Sequence, residues 1–310
     1  MAAHRTRRPG MIAGGIDLHC HGAAGFDFDT ADASGITAAL AHHRAHGTER
    51  MLLSLVSAPP AKLARRLHTL STLIPGLPEA FGVHLEGPFL ASSRCGAHDP
   101  SALEAPTPAT VEALIEAGGG LLRLVTIAPE LPGALDAIER FSAAGVTVAV
   151  GHTEADLDTA SEAFDHGASV LTHAFNAMPG LGHRAPGPVG AALARDHVTL
   201  EVIADGLHVA PVVVRTLFAA APGRIALVTD AMSATGLGDG TYRLGNLDVD
   251  VSAGRPVLTG TETLAGSTLT LDRAVQNSID AGVPRSEALA AATSTPARAI
   301  GITHNGGEPS

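Results

Sequence analysis

The chain has 310 residues, 45% hydrophobic and 16% charged, with 35 glycines and 20 prolines spread along it, a composition that buries a large core and excludes a disordered or low-complexity protein. Its net charge of -11 excludes a general polyanion binder, because affinity for nucleic acid rests on many Lys and Arg neutralising phosphates, whereas one small phosphate needs only a local pocket. No apolar run approaches membrane-spanning length, and the stretch after Arg5, Arg7 and Arg8 is broken by Gly14, Gly15 and Asp17, unlike a secretory signal.

Short β-branched apolar runs then alternate with amphipathic, Ala- and Leu-rich stretches. The first predicted strand covers 15–21, with a helix at 31–46; strand 51–57 precedes helix 60–74, and strand 80–86 precedes helix 108–117. Strands 121–127, 146–151 and 169–175 alternate with helices 132–144, 155–166 and 189–195. Strand 199–204 leads to helix 211–221, and strand 225–230 leads to a helix at 268–281. Eight strand–helix pairs predict an α/β fold of the (β/α)8 barrel type, whereas a doubly wound sheet needs fewer strands and a Gly-rich phosphate turn after the first. Between the last strand and its helix lies an insertion at 241–261, whose alternation over 242–249 and whose glycines predict a β-hairpin beside the barrel mouth. The expected division is a remnant at 1–14, a barrel over 15–301 and a tail at 302–310.

Two cysteines, Cys20 and Cys95, are too few for a disulfide framework and suit a reducing cytoplasm; the 16 histidines are more informative, though several, such as His42, His43 and His46 in one predicted helix, read as surface residues. In the segment GGIDLHCHG, His19 and His21 stand two apart, so on a strand both imidazoles face one way and Cys20 the other. His-x-His also occurs without a metal. The third strand ends at Glu86, where Gly87 and Pro88 turn the chain out of the sheet, and a carboxylate held there needs a cation or hydrogen bonds. His152, His173 and Asp230 end the fifth, sixth and eighth strands. Singly, each of these reads equally well as a satisfied core residue. Jointly they fall on the face of a barrel where active sites are built, and their donor types suit Zn or Fe, which with an open position lower the pKa of bound water towards neutrality.

The motifs IDLHCHG, HLEGPF, GAH at 96–98, GHT, THAFNAM, HRAPG at 183–187, ADGLHV, VTDAMSATG and LAGSTLTLDRAV together give a resemblance that runs from about residue 9 to residue 301. Over that span the chain resembles the amidohydrolase superfamily and, within it, the N-acetylglucosamine-6-phosphate deacetylases. The resemblance implies metal-dependent removal of acetate from a phosphorylated amino sugar, with Glu86, His152 and His173 as ligands of one divalent ion. His19 and His21 match a pair that some members keep, which implies a second ion with Glu86 bridging; Asp230 matches the catalytic acid/base and a further ligand. Implied substrate contacts are Ala97, His98, Asn176, Ala177, Arg184, Asp205, Gly206, Leu207, His208, Leu264, Ala265 and Gly266. Among these, His98 would polarise the acetyl carbonyl, and Arg184 and His208 would hold phosphate, Arg184 with the two parallel donors of a guanidinium. In relatives the residue matching Arg184 reaches a neighbouring subunit's site, so a homodimer is expected, although on its own residues Arg184 also reads as a surface arginine. Relatives also carry segments before and after this span that form a small β-sandwich, which is expected to be largely absent here. Two rival readings stay open: deacetylation of another N-acyl substrate such as N-acetylgalactosamine 6-phosphate, and a non-catalytic barrel that only binds a sugar phosphate.

Overall fold

The computed structural model describes residues 12–302; the expected N-terminal remnant and C-terminal tail fall almost wholly outside them. Eight parallel strands pair in chain order: β1 (Gly15–Asp17), β2 (Thr48–Leu55), β3 (Ala80–Glu86), β4 (Leu122–Ile127), β5 (Thr147–Val150), β6 (Val170–Leu171), β7 (Thr199–Val202) and β8 (Ile225–Leu227). The seam between β8 and β1 is joined just beyond their ends, where the Asp230 N–H donates to the His19 carbonyl and the His21 N–H to the Ala231 carbonyl, both at 2.8 Å. The expected (β/α)8 barrel is therefore present. It closes at the level of the candidate site.

Helices α1 (Ala33–Ala45), α2 (Pro60–Leu73), α3 (Pro108–Gly118), α4 (Ala134–Ala143), α5 (Leu157–Asp165), α6 (Gly187–Leu193), α7 (Pro211–Ala220) and α8 (Leu271–Asp280) follow the strands in turn. Their starts are written locally. Asp32, Thr107 and Asp156 accept from the backbone N–H three residues on, and Pro60, Pro108 and Pro211 occupy first turns where no N–H is needed. Buried stripes such as Val111 and Leu114 on α3, or Ala137, Ile138 and Phe141 on α4, face the sheet and build one continuous core. Two further helices, α9 (Arg285–Ala291) and α10 (Ser294–Ala299), were not expected from the sequence; both are only two turns or less and have little periodicity to reveal them.

The insertion also differs from the expected hairpin. It is a three-stranded antiparallel sheet of β9 (Gly240–Leu244), β10 (Leu247–Ser252) and β11 (Arg255–Leu258). A small second core of Val56, Met232, Leu244, Val249, Val251 and Ala265 fastens this sheet to the barrel mouth. The third strand was obscured because Arg255, Val257 and Leu258 are all only partly buried, so no clean alternation marks it. Among the described residues no helix is long and apolar enough to cross a membrane.

Several strands are shorter than the apolar runs that predicted them. β5, β6 and β8 stop before His152, His173 and Asp230, and each of those three residues has a left-handed backbone, with φ of 48°, 25° and 49°. Such values are uncommon for residues with a Cβ and break the ladder; clustered strain of this kind marks functional sites. His43, expected at the surface, is fully buried beneath Cys20.

Candidate metal centre

The six residues expected to bind metal converge at the outgoing ends of the strands as two trios: His19, His21 and Asp230, and Glu86, His152 and His173. Glu86 lies between them with one oxygen toward each. Its Oε1 is 3.0 Å from both His152 Nε2 and His173 Nε2, while its Oε2 is 3.3 Å from His19 Nε2 and 3.1 Å from His21 Nε2. Asp230 Oδ1 is 3.5 Å from His19 Nε2 and 3.3 Å from His21 Nε2. The two-residue spacing of His19 and His21 does bring their Nε2 atoms together, 3.2 Å apart.

Hydrogen bonds behind the rings decide what the facing atoms can do. His152 Nδ1 donates to the Arg94 carbonyl at 2.8 Å, and His19 Nδ1 donates to Glu201 Oε2 at 3.3 Å. With a proton so held on each Nδ1, both Nε2 atoms face carboxylate oxygens and other Nε2 atoms, such as His173 Nε2 at 3.0 Å from His152 Nε2, and against burial the Glu86 and Asp230 carboxylates hold His19 well above its ordinary pKa. Acceptors facing acceptors at this range repel unless positive charge lies among them. Tetrahedral ligands bound at about 2.0–2.1 Å stand about 3.3 Å from one another, close to the spacing in both trios. The donor set and its spacing therefore fit divalent metal.

The same charges act on the titrating groups. Burial opposes charge on His21, yet the Asp230 and Glu86 carboxylates raise its pKa to about 10. Burial likewise opposes the Asp230 carboxylate, but His19 and His21 hold it at about 2. Glu86 is held well below the ordinary range by His19, His98, His152 and His173, against the effect of burial. Cys20, by contrast, is pushed well above the ordinary thiol range by burial and then by Asp17, and its Sγ sits 3.2 Å from His43 Nε2 on the side away from the trios.

His98 completes the floor of the site. The Ser57 N–H donates to its Nδ1 at 3.1 Å, so its proton is on Nε2, which points inward 3.2 Å from Glu86 Oε2. Burial first, then neighbouring His152 and His21, depress His98 to about 4 against the pull of Glu86, which keeps it a neutral donor. Gly96 makes this loop possible: its φ is +55° and a Cβ there would lie 3.3 Å from the His152 ring.

Above the trios opens a cavity of about 450 Å³, within the range of sites for small molecules. Of the substrate contacts expected from the sequence, Ala97, His98, Asn176, Ala177, His208, Leu264 and Gly266 line it. Asp205 stands behind His208, accepting its Nδ1–H at 2.6 Å and the backbone N–H of Leu207 and His208 at 2.8 Å each. That leaves His208 Nε2 for the cavity. Gly206, Leu207 and Ala265 do not line the cavity, and Arg184 is exposed and outside it. Sequence reasoning missed Ser93, Arg94, Leu244, Glu262 and Thr263, which do line it. Arg94, paired to Glu154 through two bonds of 2.8 and 3.1 Å, was findable as the one cation beside the GAH motif; Leu244 belongs to the insertion and Glu262 follows it directly, and only tertiary packing brings them over the mouth.

A (β/α)8 barrel carrying clustered His, Glu and Asp at its outgoing strand ends defines a metal-dependent hydrolase barrel. The chain belongs to the amidohydrolase family, whose model matches residues 11–308. It is 39% identical over 93% of its length to N-acetylgalactosamine-6-phosphate deacetylase from Escherichia coli O157:H7, covering 77% of that protein. It is 37% identical over 95% of its length to N-acetylglucosamine-6-phosphate deacetylase from Vibrio furnissii, covering 74% of that protein. Among solved structures it resembles a mutant of N-acetyl-D-glucosamine-6-phosphate deacetylase from Mycobacterium smegmatis in complex with N-acetyl-D-glucosamine-6-phosphate, at 43% identity and a TM-score of 0.91, over 94% of this chain and 78% of that one.

Proposed function

We propose that the protein hydrolyses N-acetyl-D-glucosamine 6-phosphate to D-glucosamine 6-phosphate and acetate. The observation that carries this reading is Glu86, whose two oxygens divide between two trios of His and carboxylate side chains at the base of a cavity of small-molecule size. Glu86, His152 and His173 would hold one divalent ion, zinc or iron, and His19, His21 and Asp230 a second with Glu86 bridging. Ions bound there supply Lewis-acid polarisation of the amide and a water acidified towards neutral pH.

The side chains do the rest. Asp230 takes a proton from the attacking water and delivers it to the departing nitrogen as the C–N bond breaks. The His98 Nε2–H donates to the carbonyl oxygen as negative charge develops on it, from a ring whose orientation Ser57 has already fixed. His208, held by Asp205, turns Nε2 towards the phosphate, while Asn176, Ala177, Leu264 and Gly266 frame the sugar. Arg184 is exposed outside its own cavity, which supports a homodimer in which it reaches the partner's phosphate. Free Cys20 and Cys95 suit a cytoplasmic enzyme.

Acetate release from N-acetyl-D-glucosamine 6-phosphate, measured before and after chelation with metal content determined on the same sample, tests the reading. Activity that falls with chelation and returns with zinc or iron is expected, as is a loss of about 10²–10⁴ in kcat for Asp230→Asn. Near-normal turnover by that variant overturns the role of Asp230, and a metal-loaded but inert wild type overturns the substrate. The 39% identical relative named for N-acetylgalactosamine 6-phosphate favours one alternative substrate, the 4-epimer, and kcat/KM for the two sugars decides between them.

A further inference from the structure

Glu201 lies on β7, a strand that contributes nothing to either trio, and it is fully buried. Its surroundings do not resemble those of an ordinary structural carboxylate. Oε2 accepts two long hydrogen bonds, from His19 Nδ1 at 3.3 Å and from the His173 backbone N–H at 3.4 Å. Oε1 has no hydrogen-bond partner among the described residues. Burial of so poorly bonded a carboxylate is unfavourable unless a neighbouring group compensates it. Among the described residues no Lys or Arg pairs with it; its side-chain partner is the His19 ring, whose Nε2 faces His21, Glu86 and Asp230.

We infer that Glu201 is a positioning residue for the metal centre. By accepting the Nδ1–H it fixes the His19 tautomer with Nε2 bare, orients the ring, and raises its basicity as a ligand. Through the His173 N–H it also tethers the left-handed backbone at which the other trio's ligand stands. Glu86 thus joins the trios from the front and Glu201 from behind. The inference rests on the two-ion reading proposed above.

The test is titration of Zn²⁺ into the chelator-stripped full chain against a chromophoric chelator of known affinity. The wild type is expected to bind two ions per chain. Glu201→Gln keeps an acceptor oxygen and the volume but removes the charge; it is expected to weaken one of the two affinities by about 10–100-fold and to change the other far less. A carboxylate that serves packing alone would lower the unfolding midpoint of the stripped chain and leave both affinities unaltered, so that pattern overturns the inference. A second measurement needs no variant: long-range ¹H–¹⁵N histidine spectra of the zinc-loaded wild type are expected to put the His19 proton on Nδ1, and a proton on Nε2 overturns it. A wild type that binds a single ion sinks the two-ion reading itself; two ions with Glu201→Gln unaffected sinks only the role of Glu201.

Discussion

His43 is expected to make the strand that carries His19 and His21 sensitive to acid. It sits fully buried on α1 with its Nε2 3.1 Å from the Gly22 carbonyl and 3.2 Å from Cys20 Sγ, and its Nδ1 has no partner among the described residues. Burial, with lesser contributions from His42 and His46, depresses its pKa from 6.5 to about 4, against the Gly22 carbonyl. The folded state thus resists a proton that the unfolded chain accepts below about pH 6.5, so stability is full above that pH and falls as pH drops towards 4, below which both states are protonated. At about 1.4 kcal/mol per pH unit, the full depression is worth about 3 kcal/mol. Urea unfolding at pH 7.5 and pH 4.5 in excess chelator measures it, by comparing wild type with His43→Gln, whose amide can still donate to Gly22 but does not titrate in this range. The wild type is expected to lose about 2–3 kcal/mol more than the variant across that interval. Equal losses would refute the reasoning, because carboxylates and the stripped metal site act alike in both chains.

Three further outcomes are expected. His98→Ala removes the inward donor fixed by Ser57 and should lower kcat by about 10²–10³, with the metal content of the purified variant unchanged; loss of metal instead would make His98 a ligand. Arg184→Ala should raise KM far more than it lowers kcat, and mixing it with Asp230→Asn chains should restore activity through hybrid dimers that contain one complete site; no recovery on mixing refutes a contribution in trans. Phe141→Ala empties a fully buried position on α4 against Phe89, at a ring separation of 6.4 Å, and should cost about 3–5 kcal/mol in denaturant unfolding with little change in KM.

The barrel was legible in the sequence because its strands are apolar on both faces and its helices begin at written signals such as Thr107-Pro108 and Asp156. The six candidate metal ligands were legible too, since each stands at or just past the end of an apolar run, and the His19–His21 spacing alone puts both rings on one side. What that spacing could not give was pairing at the back of the rings. Arg94, Glu201 and Ser57 act through contacts spanning 58, 182 and 41 positions in the chain, so no local pattern announces them.

The sequence by itself determined which donors exist and which face of the barrel they occupy, because side-chain alternation and strand order are local and additive. Only the tertiary structure decided how they are shared. It gave one Glu86 oxygen to each trio, fixed the tautomers of His19, His98 and His152, buried His43, excluded Arg184 from its own cavity and folded a third strand of the insertion over the mouth. Each of these depends on distances of about 3 Å between residues far apart in the chain, which closure of the barrel sets and periodicity does not encode.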